Sequence, residues 1–298
     1  MDTPEIQPSN VHSEHLGIQA YLHGEYFLAW GKIRSTYRCY LAEFFSTAIL
    51  VFLGLSVVTQ VHVNMKGAAG SWLSINVGFG FAFSIAIYAN AGISGAHLNP
   101  ALTIALYLLK GFPLRKVPGY IISQILGAFV GAALVYSIFY PAIDNFDGGV
   151  RQVTGVLGSA GFFATYPLPY LNNGNALYTE ILSTSVLVMA IFAVEDMKKH
   201  SLVEFAPIFL GLTLMVIGIS TGYLTGYALN PARDFGPRLF LLIAGWGKEC
   251  FTAYNYYFWV PIVGPILGSI LGGAVYTFFI YCGPHHKETK KTALAIDC

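Results

Sequence analysis

The sequence predicts an all-α membrane protein, with six transmembrane helices and two re-entrant half-helices arranged as an inverted repeat. Three observations predict it. Of 298 residues, 55% are hydrophobic and 10% charged, with mean hydropathy +0.59, whereas soluble domains are about 25% charged. Apolar stretches long enough to cross about 30 Å of hydrocarbon as helix recur six times. The string Leu-Asn-Pro-Ala occurs twice, at 98–101 and 229–232, each time about fifty residues after a Glu-X-X-Ser-Thr string, at 43–47 and 180–184.

Along the chain, residues 1–37 form a polar tail without the apolar core of a cleavable leader, so the first span is expected to be its own insertion signal. The spans fall near 39–60, 73–91, 117–140, 176–194, 203–221 and 257–281. They divide a membrane domain over 38–283 into repeat one, 38–140, and repeat two, 176–283. Between them, 141–175 is rich in Gly, Pro, Asn and Asp and reads as a long surface loop; 284–298 is a second tail. Three spans per repeat is an odd number, so the second copy enters the membrane from the opposite side. Lys32, Arg34, Arg38, Lys110, Arg115, Lys116, Lys198, Lys199, Lys287, Lys290 and Lys291 then fall on one side, which predicts cytoplasmic termini. The tail before the first span reads as disordered chain and the Lys287–Lys291 cluster as an anchor at the lipid headgroups. The four cysteines have no metal or redox spacing and read as structurally neutral, with disulfides disfavoured at Cys39 and Cys282.

The segments after the repeated strings, 99–109 and 230–243, are helical in pattern but too short to span, and Gly-rich chain precedes each. Non-helical backbone survives at membrane depth only where it lines an aqueous cavity or is buried in protein, which points to a pore. Asn99 and Asn230 suit the N-cap through their carbonyl oxygens, which leaves their NH2 groups free, and Pro100 and Pro231 suit N1. Ala101 and Ala232 complete the strings. Two half-helices meeting N-terminus to N-terminus place partial positive charge at the midplane, which opposes cations and admits neutral hydroxyls. Glu43 and Glu180, one per repeat, are expected to accept hydrogen bonds from the loops before each half-helix, the other reading being proton carriers. His97 is expected to hold its loop and offer its carbonyl to the pore. Gly127 with Gly131, and Gly264, Gly268 and Gly272, form small-residue ridges, read chiefly as packing within one protomer.

These features, together with Ser94-Gly95-Ala96-His97-Leu98-Asn99-Pro100-Ala101, resemble the major intrinsic protein family of aquaporins and aquaglyceroporins over about 38–283. The resemblance implies a right-handed six-helix bundle, a pore in each protomer and a homotetramer. It also implies the glycerol-channel subclass, because Asp234 follows Arg233 and Arg238 stands four residues on, with Phe139, Pro261 and Ile262 at the other subclass-determining positions. The family's constriction maps onto Phe79, Gly218, Tyr227 and Arg233. On that mapping Arg233 offers donors to hydroxyl oxygens, Phe79 and Tyr227 form an apolar wall, and Gly218 leaves the aperture wide. Asp234 and Arg238, at i and i+4 with the acid first, suit a helical ion pair.

The function expected is passive conduction of glycerol and other small uncharged solutes, with water, while protons and ions are excluded. Urea and hydrogen peroxide are further candidate solutes, and membrane lipid the expected surroundings. A water-selective aquaporin is the first alternative, a coupled secondary transporter the second, and a structural membrane protein with a closed pore the third. No phosphate loop, metal-spaced cluster or nucleophilic triad argues for an enzyme, and no cofactor or nucleic-acid partner is expected.

Overall fold

The computed structural model describes residues 25–64, 67–196 and 204–281, all helix or connecting chain. Helix α1 (Glu25–Thr36) leads to α2 (Arg38–Val63), α3 (Trp72–Ser94), the half-helix α4 (Pro100–Lys110) and α5 (Val117–Asp147). Repeat two continues with α6 (Asn173–Asp196), α7 (Ala206–Ser220), the half-helix α8 (Pro231–Ile243), the short α9 (Glu249–Tyr256), which breaks at Ala253, and α10 (Val260–Phe279).

The packing pattern is the same in both repeats. Helix α2 lies against α3 and α5, as α6 lies against α7 and α10. Each half-helix crosses to the other repeat, α8 onto α5 and α4 onto α10, while α3 meets α7 between the halves. The glycine ridges make these approaches possible. A Cβ on Gly127 would stand 2.2 Å from Phe44 O, and one on Gly268 would stand 2.4 Å from Ile181 O. Both ridges are thus consumed inside the chain, as expected of small residues where helix backbones nearly touch.

Four sequence expectations change. Residues 25–36 of the supposed disordered tail are helical, whereas 1–24 and the Lys287–Lys291 cluster lie outside the described residues. Among the described residues five helices are long and apolar enough to cross a membrane, and the fifth predicted span holds the shorter, 15-residue α7, roughly 22 Å at 1.5 Å per residue. Helix α5 passes through Pro141 to Asp147 instead of ending at 140, because burial of Ile143 and Asp147 keeps the last turns in place. Cys39, read as neutral, is disulfide-bonded.

The linking segment is not a plain surface loop either. Val153, Ser159, Ala160, Phe162, Phe163 and Ala164 are buried, and a 3-10 turn (Ala160–Phe162) joins the main core. Arg151 anchors it, donating to Asp144 Oδ1 at 2.6 Å, Asp147 Oδ1 at 2.8 Å and the Tyr136 hydroxyl at 3.0 Å. Burial works to lower the pKa of Arg151, but its bonds to Tyr136 and Asp144 outweigh this and hold it above the ordinary value. Asp147 also accepts from Ser159 Oγ at 2.8 Å, and Trp246 Nε1 donates to that hydroxyl at 3.1 Å.

Candidate functional site

Each half-helix begins at an Asn-Pro pair whose chemistry dictates the turn. Asn99 and Asn230 share one extended conformation, φ −151° in both. Asn99 Oδ1 accepts from Ala101 N at 2.8 Å and Asn230 Oδ1 from Ala232 N at 2.9 Å, the N-cap bond that Asn supplies. Proline at N1 gives up no hydrogen bond. The preceding loops turn through left-handed residues at matched positions, Ala96 and Leu98 in one, Tyr227 and Leu229 in the other. Such backbone is uncommon outside glycine and persists only where its surroundings over-determine it.

The determining groups are the two glutamates. Glu43 is wholly buried and accepts from Ser94 Oγ, His97 N, Leu98 N and Gln124 Nε2, all at 2.6 to 2.9 Å. Glu180, equally buried, accepts from Thr225 Oγ1, Ala228 N and Leu229 N at 2.7 to 3.0 Å. These contacts join each carboxylate to the loop before a half-helix. Gln124 escaped notice in the sequence, although a polar side chain inside an apolar span was the available signal.

The asparagine amides are not wholly free. Asn99 Nδ2 donates to Leu229 O at 2.8 Å and Asn230 Nδ2 to Leu98 O at 2.7 Å, so each amide spends a donor on the opposite loop. An NH2 group has two donors, and the second remains on each. The crossed pair ties the half-helix N-termini together and brings their partial positive charges to one place.

Phe79, His97, Asn99, Tyr227, Asn230 and Arg233 share one cavity, whose remaining lining is mostly apolar, including Leu50, Phe83, Leu187 and Leu214. On one side Arg233 lies with Cζ 4.9 Å from the Phe79 ring centre, and Phe79 meets Tyr227 edge-on at 5.9 Å. Arg233 donates through a terminal guanidinium nitrogen to Phe163 O at 2.9 Å. Both rings sit on glycine. A Cβ on Gly54 would stand 2.3 Å from the Phe79 ring, and a Cβ on Gly218 would stand 3.0 Å from Tyr227 Cζ. Gly218 is therefore not an empty side of the aperture, because Asn76 Oδ1, 1.9 Å from that Cβ, and the Tyr227 ring take the space of its side chain. His97 lies with its ring against Phe112 and Tyr120, at 4.7 and 4.9 Å, and Nδ1 3.1 Å from Thr103 Oγ1.

Asp234 and Arg238 form a buried ion pair beside the cavity, with Arg238 Nε 2.8 Å from Asp234 Oδ1. Asp234 Oδ2 accepts from Thr165 N at 2.7 Å and Thr165 Oγ1 at 2.6 Å. Arg238 donates to Thr165 O at 2.7 Å and to Cys250 O, with its guanidinium over the Tyr166 ring. The pair thus grips the linking segment two residues beyond the carbonyl that receives Arg233. The remaining subclass positions do not join the site: Phe139 and Ile262 are half-buried, Pro261 is buried in the first turn of α10, and none lines the cavity.

An inverted helical bundle with two half-helices pinned tip to tip beside an internal cavity defines a membrane channel rather than an enzyme. Residues 31–276 match the major intrinsic protein family, and the chain belongs to that family. Aquaglyceroporin-2 of Rhizophagus irregularis is 46% identical over 255 residues, covering 85% of this chain and 80% of that protein. Human Aquaporin-9 is 42% identical over 249 residues, 83% of each. The solved structure of the aquaglyceroporin from Plasmodium falciparum superposes with a TM-score of 0.73 at 35% identity, covering 82% of this chain and 96% of that one.

Proposed function

We propose that the chain is a passive channel for glycerol and other small uncharged solutes, with water, that excludes protons and ions. The observation that carries this reading is the composition of one corner of the cavity, where the Arg233 guanidinium stands against the Phe79 ring and that ring meets Tyr227 edge-on. A polyol has hydroxyls on one edge and C–H groups on the other, and this corner offers donors to the first and an apolar wall to the second. The second N–H groups of Asn99 and Asn230 receive hydroxyl oxygens further along. Arg233 and the two half-helix N-termini oppose cations. Every oxygen of Glu43 and Glu180 is engaged by loop donors, which supports a holding role over proton carriage. The aquaglyceroporins among the similar proteins favour this reading over a water-selective one.

The same reading places both termini in the cytoplasm, the protein in the plasma membrane, and four copies in a tetramer with one pore each. Urea and hydrogen peroxide are candidate co-substrates by size and neutrality. The functional unit is 38–283, flanked by the two tails.

A histidine at 218 would project where Asn76 Oδ1 and the Tyr227 ring already stand, so the ring is reduced in the same variant. Gly218→His with Tyr227→Cys is expected to lower glycerol permeability of proteoliposomes far more than water permeability, in stopped-flow light scattering. Equal loss of both would sink the assigned constriction. Parallel gradients of glycerol, urea and an impermeant sugar establish the range of solutes.

A further inference from the structure

Helix α3 carries a polar residue that the channel reading does not use. Asn76 is fully buried, and its Nδ2 donates to Trp72 O at 2.7 Å. Its Oδ1 has no hydrogen-bond partner among the described residues. An unpaired buried carbonyl carries a stability penalty that a leucine of similar size would not.

Trp72, Asn76 and Phe79 stand at i, i+4 and i+7, on one face of the helix. That face meets α7 and the loop before α8. The Trp72 indole N–H donates to Gly218 O at 3.3 Å, and its ring meets Tyr227 edge-on at 5.7 Å. An ideal Cβ on Gly218 would lie 1.9 Å from Asn76 Oδ1, and one on Gly222 would lie 2.3 Å from Tyr227 Cδ1. Gly222 therefore lies under the base of the Tyr227 ring and Gly218 under its hydroxyl end, with Trp72 edge-on to the ring and Asn76 Oδ1 filling the space over Gly218. The bond to Trp72 O fixes the amide's orientation, so its oxygen marks where a side chain at 218 would begin.

We propose that Asn76 is a specificity-determining residue of this channel: it occupies the side-chain space of position 218 and thereby holds Tyr227 at its station on the cavity wall. It is a positioning residue, acting on the solute through Tyr227. The inference rests on the constriction assigned above.

The test uses the full chain in proteoliposomes, with permeabilities to water, glycerol and longer linear polyols measured per folded channel. Gly218→Ala is expected to lower glycerol permeability about tenfold, an effect of the size that mild overpacking produces, because its methyl must displace Asn76 or Tyr227. Adding Asn76→Ala to Gly218→Ala is expected to restore glycerol permeability to within about twofold of the unchanged chain, the scatter expected when a clash is relieved. Asn76→Ala alone frees Tyr227 and raises the permeability of longer polyols relative to glycerol. Failure of the double variant to recover, or an Asn76→Ala variant whose permeabilities all scale equally, overturns the proposal. Tyr227→Ala serves as the reference. If it shifts the polyol series while Asn76→Ala does not, the inference alone fails; if it shifts nothing, the constriction fails and takes the inference with it.

Discussion

In repeat one, Glu43 gathers four donors, all from within that repeat: a serine hydroxyl and two amides of the loop, and Gln124 from α5. In repeat two, Glu180 gathers three, and α10 supplies none. Gly127 meets Phe44 O as Gly268 meets Ile181 O, so the counterpart of Gln124, three residues earlier, is Pro265, which has no donor to give. Repeat two is braced from outside itself instead, by the linking segment held on Asp234 and Arg238 and touching Arg233 through Phe163 O. Duplicated backbone geometry can thus be kept while its supports diverge, and the charged apparatus gathers on the loop that carries the arginine.

That difference can be broken at its strongest point. Asp234→Ala removes one member of a buried pair and is expected to cost about 3–5 kcal/mol, because it leaves the Arg238 charge uncompensated. Thermal unfolding in detergent measures the loss. Hydrogen exchange locates it, with faster exchange at residues 160–166 and no change around Leu98; equal loosening of both loops would show that the supports are not separate.

The glutamates test the same contrast more gently. Glu43→Gln and Glu180→Gln each place an amide NH2 against groups that already donate, at about 2–4 kcal/mol. The Glu43 change is expected to be the more damaging, since four donors lose their acceptor charge instead of three. Chemical denaturation of the two variants side by side decides it, and the reverse order would mean that donor number does not govern loop stability.

The far ends of the half-helices differ least in energy. Lys110 closes α4, pairing with Asp196 at 2.9 Å with its Nζ 4.9 Å from the Phe192 ring centre, whereas the last turn of α8 carries no base. Both members of the pair are about a quarter exposed, so Lys110→Met is expected to cost about 0–1 kcal/mol. An unchanged melting temperature and glycerol flux would agree; a collapse of either would give this end of repeat one a support of its own.

Much of the fold was legible because its signals are local. Apolar stretches mark α2, α3, α5, α6 and α10, and Asn-Pro marks the start of each half-helix, since capping needs only the residues beside it. The matched glutamates could be read as loop acceptors, because a buried carboxylate near unpaired amides has few other uses. Pro141 and the Gly-rich chain after it misled, because a proline that usually ends a helix is overridden when the residues beyond it are buried by distant elements. Trp72, Asn76, Gln124, Arg151 and Phe163 gave little sign of their parts. The Phe163 contribution is a backbone carbonyl, which any residue could supply.

The sequence by itself determined that the chain lies in a bilayer, that it is built twice in opposite senses, and where its two half-helices begin. Hydropathy, repetition and capping are properties of neighbouring residues. Only the tertiary structure decided that the asparagine amides are crossed, that Gly218 and Gly54 are seats for the Tyr227 and Phe79 rings, and that the linking segment reaches in to hold Arg233. Each of these depends on which side-chain volumes and carbonyls meet across helices far apart in sequence, and no local pattern encodes that meeting.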